Sequence, residues 1–138
     1  MPLPPDLLRA YEEANYVVFG EPELVIRVGE PNRDLDALME ADDASTAAYL
    51  SAANPDGAQQ SGADNREAAQ ALLADSIMRF LPKYEGEGRD PLGKWPAEPS
   101  VLVLGISRKD AEFLGITHAQ NAIVFIEKRK APELVVLV

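Results

Sequence analysis

The 138-residue chain contains no cysteine and a single histidine, His118. Disulfides, thiolate metal sites and, within one chain, the usual zinc ligand sets are thereby excluded. Its stability is expected to come from packing alone. Positive charge is scarce: 13 Lys and Arg stand against 23 Asp and Glu, a formal net charge of −10. The deficit is lopsided, with 4 basic and 15 acidic residues in 1–75 but 9 and 8 in 76–138. No basic cluster exceeds Lys128-Arg129-Lys130, too little to displace the condensed counterions of a duplex, so nucleic acid is not an expected partner. The same acidity favours solubility and repels an anionic membrane surface. Long apolar runs are missing, and Met1-Pro2-Leu3-Pro4-Pro5-Asp6 lacks the basic start and apolar stretch of a secretory signal. The expectation is a cytoplasmic protein with no membrane partner.

What is present suits one folded domain. Hydrophobic residues make up 46% and charged residues 26%, and size scaling lets about two-thirds of the unfolded chain's surface be buried. Pro4 and Pro5 suit the opening of a helix and Asp6 its first turn, with Leu7, Leu8 and Tyr11 on one face through Ala14. Tyr16–Phe19 and Glu23–Val28 are β-rich runs joined by Gly20-Glu21-Pro22. Pro31-Asn32 starts a second helix carrying Leu35, Leu38 and Met39, and Asp42-Asp43 end it. Thr46–Ala53 reads as an Ala-rich strand, and Asn54–Gly62 as a mobile polar loop.

Asp64 or Asn65 is expected to cap a long helix whose apolar residues, from Ala68 to Leu81, keep a 3.6-residue period until Pro82. A short strand is expected at Tyr84, then irregular chain through Trp95, because prolines and glycines crowd Lys83–Pro99. Val101–Ile106 reads as a central strand. Ser107 caps a helix over Arg108–Leu114 that Gly115 ends. Asn121–Glu127 and Leu134–Val138 form a terminal hairpin, whose last strand must be paired or covered. The order αββαβαββαββ predicts a single α+β domain over 1–138, with a largely antiparallel mixed sheet and three to four helices packed on it.

The chemical motifs are weak. Gly88–Lys94 has the spacing of a phosphate loop, but Trp95 stands where Ser or Thr should hold Mg²⁺ and Pro96 forbids the helix. Val101–Gly105 has the outline of a dinucleotide strand and turn with one of three glycines. His118 lacks a nucleophile elbow and reads as a turn residue. Glu85, Glu87, Asp90 and Glu98 crowd one segment but fit no calcium loop, and solvated charge is the preferred reading. Least explained by local structure are Asn54, Asn65, Arg66, Trp95, Glu98, Ser100 and Gln120 with Asn121, all in loops or at strand ends. Such side chains either tie loops to a sheet or grip a polar ligand, and tying is the commoner use.

Ala52-Ala53-Asn54-Pro55, Asn65-Arg66, Asp90 through Ser100 and Gln120 through Val124 come in an order and spacing that resembles a bacterial family. It is the family known as domain of unknown function 3293, and the resemblance covers roughly residues 10–138. The resemblance implies a small bacterial cytoplasmic protein and brings no activity, cofactor or catalytic residue. The chain departs from the family pattern at Ala53, where a tryptophan is common, and at His118-Ala119, where an aromatic-glycine pair is common. The first departure removes a bulky wall near Asn54.

The expected function is a binding domain for a small polar ligand or a protein partner, monomer or homodimer, without a cofactor. Its site is expected from the loop after Asn54, the start of the long helix and Trp95–Ser100. Asn65 and Arg66 at a helix N-terminus would meet an anionic or amide-bearing group. Trp95 would supply apolar contact, and Glu98 would accept from a ligand donor or orient Arg66. One competing expectation is a hydrolase or transferase-like enzyme with Glu98 as general base, with or without Mg²⁺. Another is an acidic inhibitor that masks a basic partner.

Overall fold

All seven strands join one sheet in the order β2-β1-β4-β5-β3-β6-β7, in a computed structural model that describes residues 3–54 and 59–138. Pro4 precedes α1 (Pro5–Glu13), which has proline at its start and Asp6 in its first turn. β1 (Asn15–Val18) and β2 (Leu24–Ile26) pair antiparallel. Asn32 then caps α2 (Arg33–Ala41) by accepting from the Leu35 amide at 3.0 Å. β3 (Thr46–Ser51) follows and lies between β5 and β6. After α3 (Gly62–Leu73) come β4 (Lys83–Arg89) and β5 (Glu98–Leu104). α4 (Arg108–Thr117) leads to the terminal hairpin of β6 (Ala122–Glu127) and β7 (Glu133–Val136). The domain is α+β, with four α-helices among the described residues, and every strand pair described is antiparallel.

Strand pleating sorts the core into two layers, because successive side chains point to opposite faces. On one face Ala48, Leu50, Val101, Val103 and Phe125 pack against Leu72 of α3 and Leu114 of α4. On the other, Ala47, Tyr49, Leu102, Leu104 and Ile126 pack against Leu35 and Met39 of α2. Each fully buried Leu, Ile or Met side chain contributes about 1.5–3 kcal/mol, which replaces the covalent staples the composition lacks. α2 covers only part of its face. The remainder lies beneath α1 and holds the cavity described below.

Four local expectations are corrected. Ser61, not Asp64 or Asn65, caps α3, accepting from the Asp64 amide at 3.1 Å. The helix ends at Leu73 instead of running to Leu81, because the Asp75 carboxylate accepts from Ile77 N and starts a separate 3₁₀ turn, Ser76–Met78. That turn buries Met78 and leaves Phe80 89% exposed, off the helical period. The glycine-rich stretch after Tyr84 is a full strand, since β4 is held by β1 on one side and β5 on the other. Gly86 is required there: a Cβ would meet the Val17 carbonyl oxygen at 1.8 Å.

Gly115, finally, lies inside α4 rather than ending it. A Cβ there would come within 2.5 Å of Leu137 Cδ1 and 2.8 Å of Ile123 Cγ2, so the glycine permits close packing of helix on hairpin. β7 lies at one sheet edge, paired with β6 alone. No helix among the described residues is long and apolar enough to cross a membrane.

Candidate functional site

The sheet register sets the floor of the cavity. Tyr16 on β1 faces Gly88 on β4, and Gly88 faces Glu98 on β5. Next along, Ser100 pairs with Ser51 on β3, and Leu102 with Tyr49. These residues share one face because their positions differ by two along each strand. Glu98 thus lies on the same face as Gly88, and Glu85 and Glu87 project to the opposite face. α1 forms the roof with Leu7, Ala10 and Tyr11, continued by Ala14 just past its end. Asn54, Gln59, Trp95, Gln120 and Asn121 complete the lining, with Gln120 held against Ala53 next to Asn54. The enclosed volume is about 180 Å³, of the order that holds a single-ring molecule.

Gly88 and Gly86 stand two residues apart on the same strand for different reasons. Gly86 avoids a clash, whereas a Cβ at Gly88 would meet nothing within 4 Å. Gly88 lines the cavity, so its missing side chain is space left open above the sheet. Tyr49 lies across the sheet over Gly86, its hydroxyl donating to the Val17 carbonyl at 2.7 Å. Its ring meets that of Tyr16 edge to face, with centroids 5.3 Å apart. The Tyr16 hydroxyl in turn donates to the Tyr11 carbonyl, which anchors the end of α1 to β1. Burial pushes both the Tyr16 and the Tyr49 phenols well above their ordinary value, so they are neutral donors in this wall.

Glu98 is the acidic group of the cavity. It is half-buried, and Asn54 Nδ2 donates to its Oε1 at 2.9 Å. Burial raises its carboxyl above the ordinary carboxylate value, while the Asn54 bond pulls in the other direction. Asn54 is itself over-determined. It takes a positive φ of 46°, a conformation Asn tolerates better than most residues. Its backbone amide donates to Asn65 Oδ1 at 2.9 Å, and Asn65 Nδ2 donates back to Asn54 Oδ1 at 3.1 Å. Gln60 completes the knot, its amide donating to Asn54 Oδ1 and its side chain to Asn65 Oδ1. The buried Asn65 therefore aims Asn54, and Asn54 aims Glu98.

Five of the seven residues expected at the site line this cavity: Asn54, Trp95, Glu98, Ser100 and Gln120. Several of their polar atoms are already engaged. Ser100 Oγ donates to the Glu98 carbonyl at 2.9 Å, and Gln120 Nε2 donates to the carbonyls of Ala53 and His118 at 3.1 and 3.0 Å. Asn65 stands behind Asn54 as its clamp, outside the lining.

Arg66 is a correction. It belongs to a separate hollow on the other face of the sheet, with Phe19, Glu85 and Glu87. Glu98 therefore accepts from Asn54 and does not orient Arg66, because α3 packs against the face opposite Glu98. No Lys, Arg or His lines the cavity among the described residues, so no cationic side chain there would hold an anion. Residues 55–58 of the polar loop, including Pro55 of the Asn-Pro pair, lie outside the described residues.

Tyr11, Tyr16, Tyr49 and Gly88 are lining residues that sequence reasoning did not select. Their signal was faint: each tyrosine looks like an ordinary core residue on its own element, and Gly88 like a turn. His118 lies elsewhere, at the C-terminus of α4, with Nε2 buried without a hydrogen bond and 3.6 Å from Asp75. Of the Gly88–Lys94 segment, Gly88 and Arg89 end β4, and the rest is a turn in which Asp90 accepts from the Leu92 and Lys94 amides. Among the described residues no three or more His, Cys, Asp or Glu lie close enough together to hold a metal ion.

Fold and cavity together define a small α+β domain whose antiparallel sheet and first helix enclose a tyrosine-walled hollow with one carboxylate in it. The family model described as Protein of unknown function (DUF3293) matches residues 50–123, and the chain belongs to that family. The matched span carries Asn54, Asn65, Trp95, Glu98, Ser100 and Gln120, and it leaves out Tyr11 and Tyr16. No curated protein and no solved structure matches the chain.

Proposed function

We propose that this protein is a binding domain for a small polar ligand, held in the cavity between α1 and the sheet with its polar end at Glu98. The observation that carries the reading is the pairing of Gly88 with Glu98: a half-buried carboxylate beside a strand position where a side chain would meet only open space. A site with apolar walls and few convergent polar groups has the general form of a small-molecule pocket. The Asn65 to Asn54 to Glu98 chain supports the same reading, since it fixes one carboxylate oxygen before any ligand arrives. A bacterial cytoplasmic setting, as the family resemblance implies, belongs to this reading.

The test is a screen of single-ring molecules bearing an amine, hydroxyl, amide or carboxylate, followed by amide NMR on the full chain. Shifts should gather at Ser51, Asn54, Trp95 and Ala122. Gly88→Leu, which fills the hollow, should abolish them without lowering the melting temperature. Shifts scattered over the surface, or unchanged by Gly88→Leu, would overturn the reading.

A second reading has one observation in its favour. The raised carboxyl of Glu98 is the property a general base needs to work near neutral pH. No serine, cysteine or histidine paired as nucleophile and base accompanies it in the described lining, so binding is the preferred function. Turnover of phosphoesters or amides that Glu98→Gln abolishes would reverse that preference.

A further inference from the structure

Among the described lining residues the Tyr11 hydroxyl, the Trp95 indole and the Gln59 amide are side-chain donors with no protein acceptor. Most donors in the cavity wall are spent on the protein itself: the Tyr16 hydroxyl on the Tyr11 carbonyl, the Tyr49 hydroxyl on Val17, and the Ser51 hydroxyl on the Pro99 carbonyl. Ser100 and Gln120 donate to main-chain carbonyls as well, and Asn121 Nδ2 donates to the Tyr11 hydroxyl at 3.3 Å. Glu98 is left with one protein donor, on Oε1 alone, among the described residues. An ionised carboxylate has room for about four. It is also the only charged side chain among the described lining residues, with no cation to balance it. A half-buried carboxylate short of donors and of positive charge is matched by a ligand that brings both.

Resting on the small-ligand reading above, we infer that the occupant is an organic cation: a primary or secondary ammonium on a body of about one ring. The ammonium donates to Glu98, and the body lies among the rings of Tyr11, Tyr16, Tyr49 and Trp95. Their faces attract a cation as well as cover an apolar body. Burial pushes the Glu98 carboxyl up, and a cation beside it would favour the ionised form again. A net charge of −10 further favours the approach of a cation over that of an anion.

Benzylamine, benzyl alcohol and benzoate separate this inference from the reading beneath it, because they share a ring and a one-carbon arm or carboxyl but differ in charge. Titrated into the full chain at fixed salt and followed by amide NMR, benzylamine should bind about tenfold more tightly than benzyl alcohol, the difference between a charge-assisted and a neutral hydrogen bond. Benzoate should be weakest. Glu98→Gln should bring benzylamine to the level of benzyl alcohol. Benzyl alcohol or benzoate equalling benzylamine on the wild-type chain overturns the cation and leaves the cavity reading in place. A preference for benzylamine that survives Glu98→Gln also overturns it, since the preference would then come from overall charge. If none of the three shifts the cavity amides, both the cation and the cavity reading fall.

Discussion

Asn54 Nδ2 lies 2.9 Å from Glu98 Oε1, linking a residue of positive φ after β3 to the first residue of β5. The bond is the only lowering influence on a carboxyl that burial otherwise raises. Replacing Asn54 by Gly keeps the backbone conformation accessible and removes the donor. In the Asn54→Gly protein the Glu98 carboxyl should titrate at higher pH than in the wild type, as read by carbon NMR of its side chain. An unchanged titration would show that the bond does not govern Glu98.

The raised carboxyl also has a consequence for stability. Folding favours the protonated form of Glu98, so its contribution is fully present below the ordinary carboxylate value and is lost as pH rises through the raised one. Glu98→Gln should be more stable than the wild type at neutral pH, and the gap should close near pH about 4. Urea unfolding at the two pH values measures it. A variant less stable than the wild type at neutral pH would mean that the carboxylate holds the fold together.

The two glycines of β4 should respond oppositely. Gly86→Ala drives a methyl into the Val17 carbonyl and should cost about 3 kcal/mol or more. Gly88→Ala places the same group in open space and should leave stability unchanged or raised by up to about 1 kcal/mol. Equal losses at both positions in chemical denaturation would contradict the geometry.

Asn65→Ala removes the acceptor of the Asn54 amide and the donor to its side chain. A loss of about 1–3 kcal/mol is expected from leaving these buried groups unpaired. Amide exchange at Asn54 and Gln60 should accelerate more than exchange in β3. Uniform acceleration would mean that Asn65 is an ordinary core residue and not the clamp of this turn.

Gly115→Ala sets two effects against each other. Alanine in a helix gains about 1 kcal/mol over glycine, but the added methyl would press on Leu137 and Ile123 at 2.5 and 2.8 Å. Overpacking of this kind costs about 1–3 kcal/mol. The net expectation is a modest fall in melting temperature, and a rise would show that Leu137 yields.

How much could be read from the chain alone depended on whether the cause was local. Ser107 caps the helix it was expected to cap and Asn32 stands where α2 was expected to start, because a cap needs only an amide two or three residues away. The sequential order of helices and strands followed from periodicity for the same reason. Asp75 was harder to see: it interrupts an apolar period that continues to Leu81, and only its bond to Ile77 N reveals the break.

Composition and sequence order fixed an acidic, cysteine-free α+β domain and drew attention to Asn54, Trp95, Glu98, Ser100 and Gln120 as polar or indole groups with no local task. The tertiary structure decided which of them meet. Strand pairing put Gly88 opposite Glu98, placed Arg66 behind the sheet and brought Tyr11, Tyr16 and Tyr49 from three elements into one wall. Those outcomes depend on register, where a slip of one residue turns every side chain to the other face, and register is set by contacts between segments far apart in the chain.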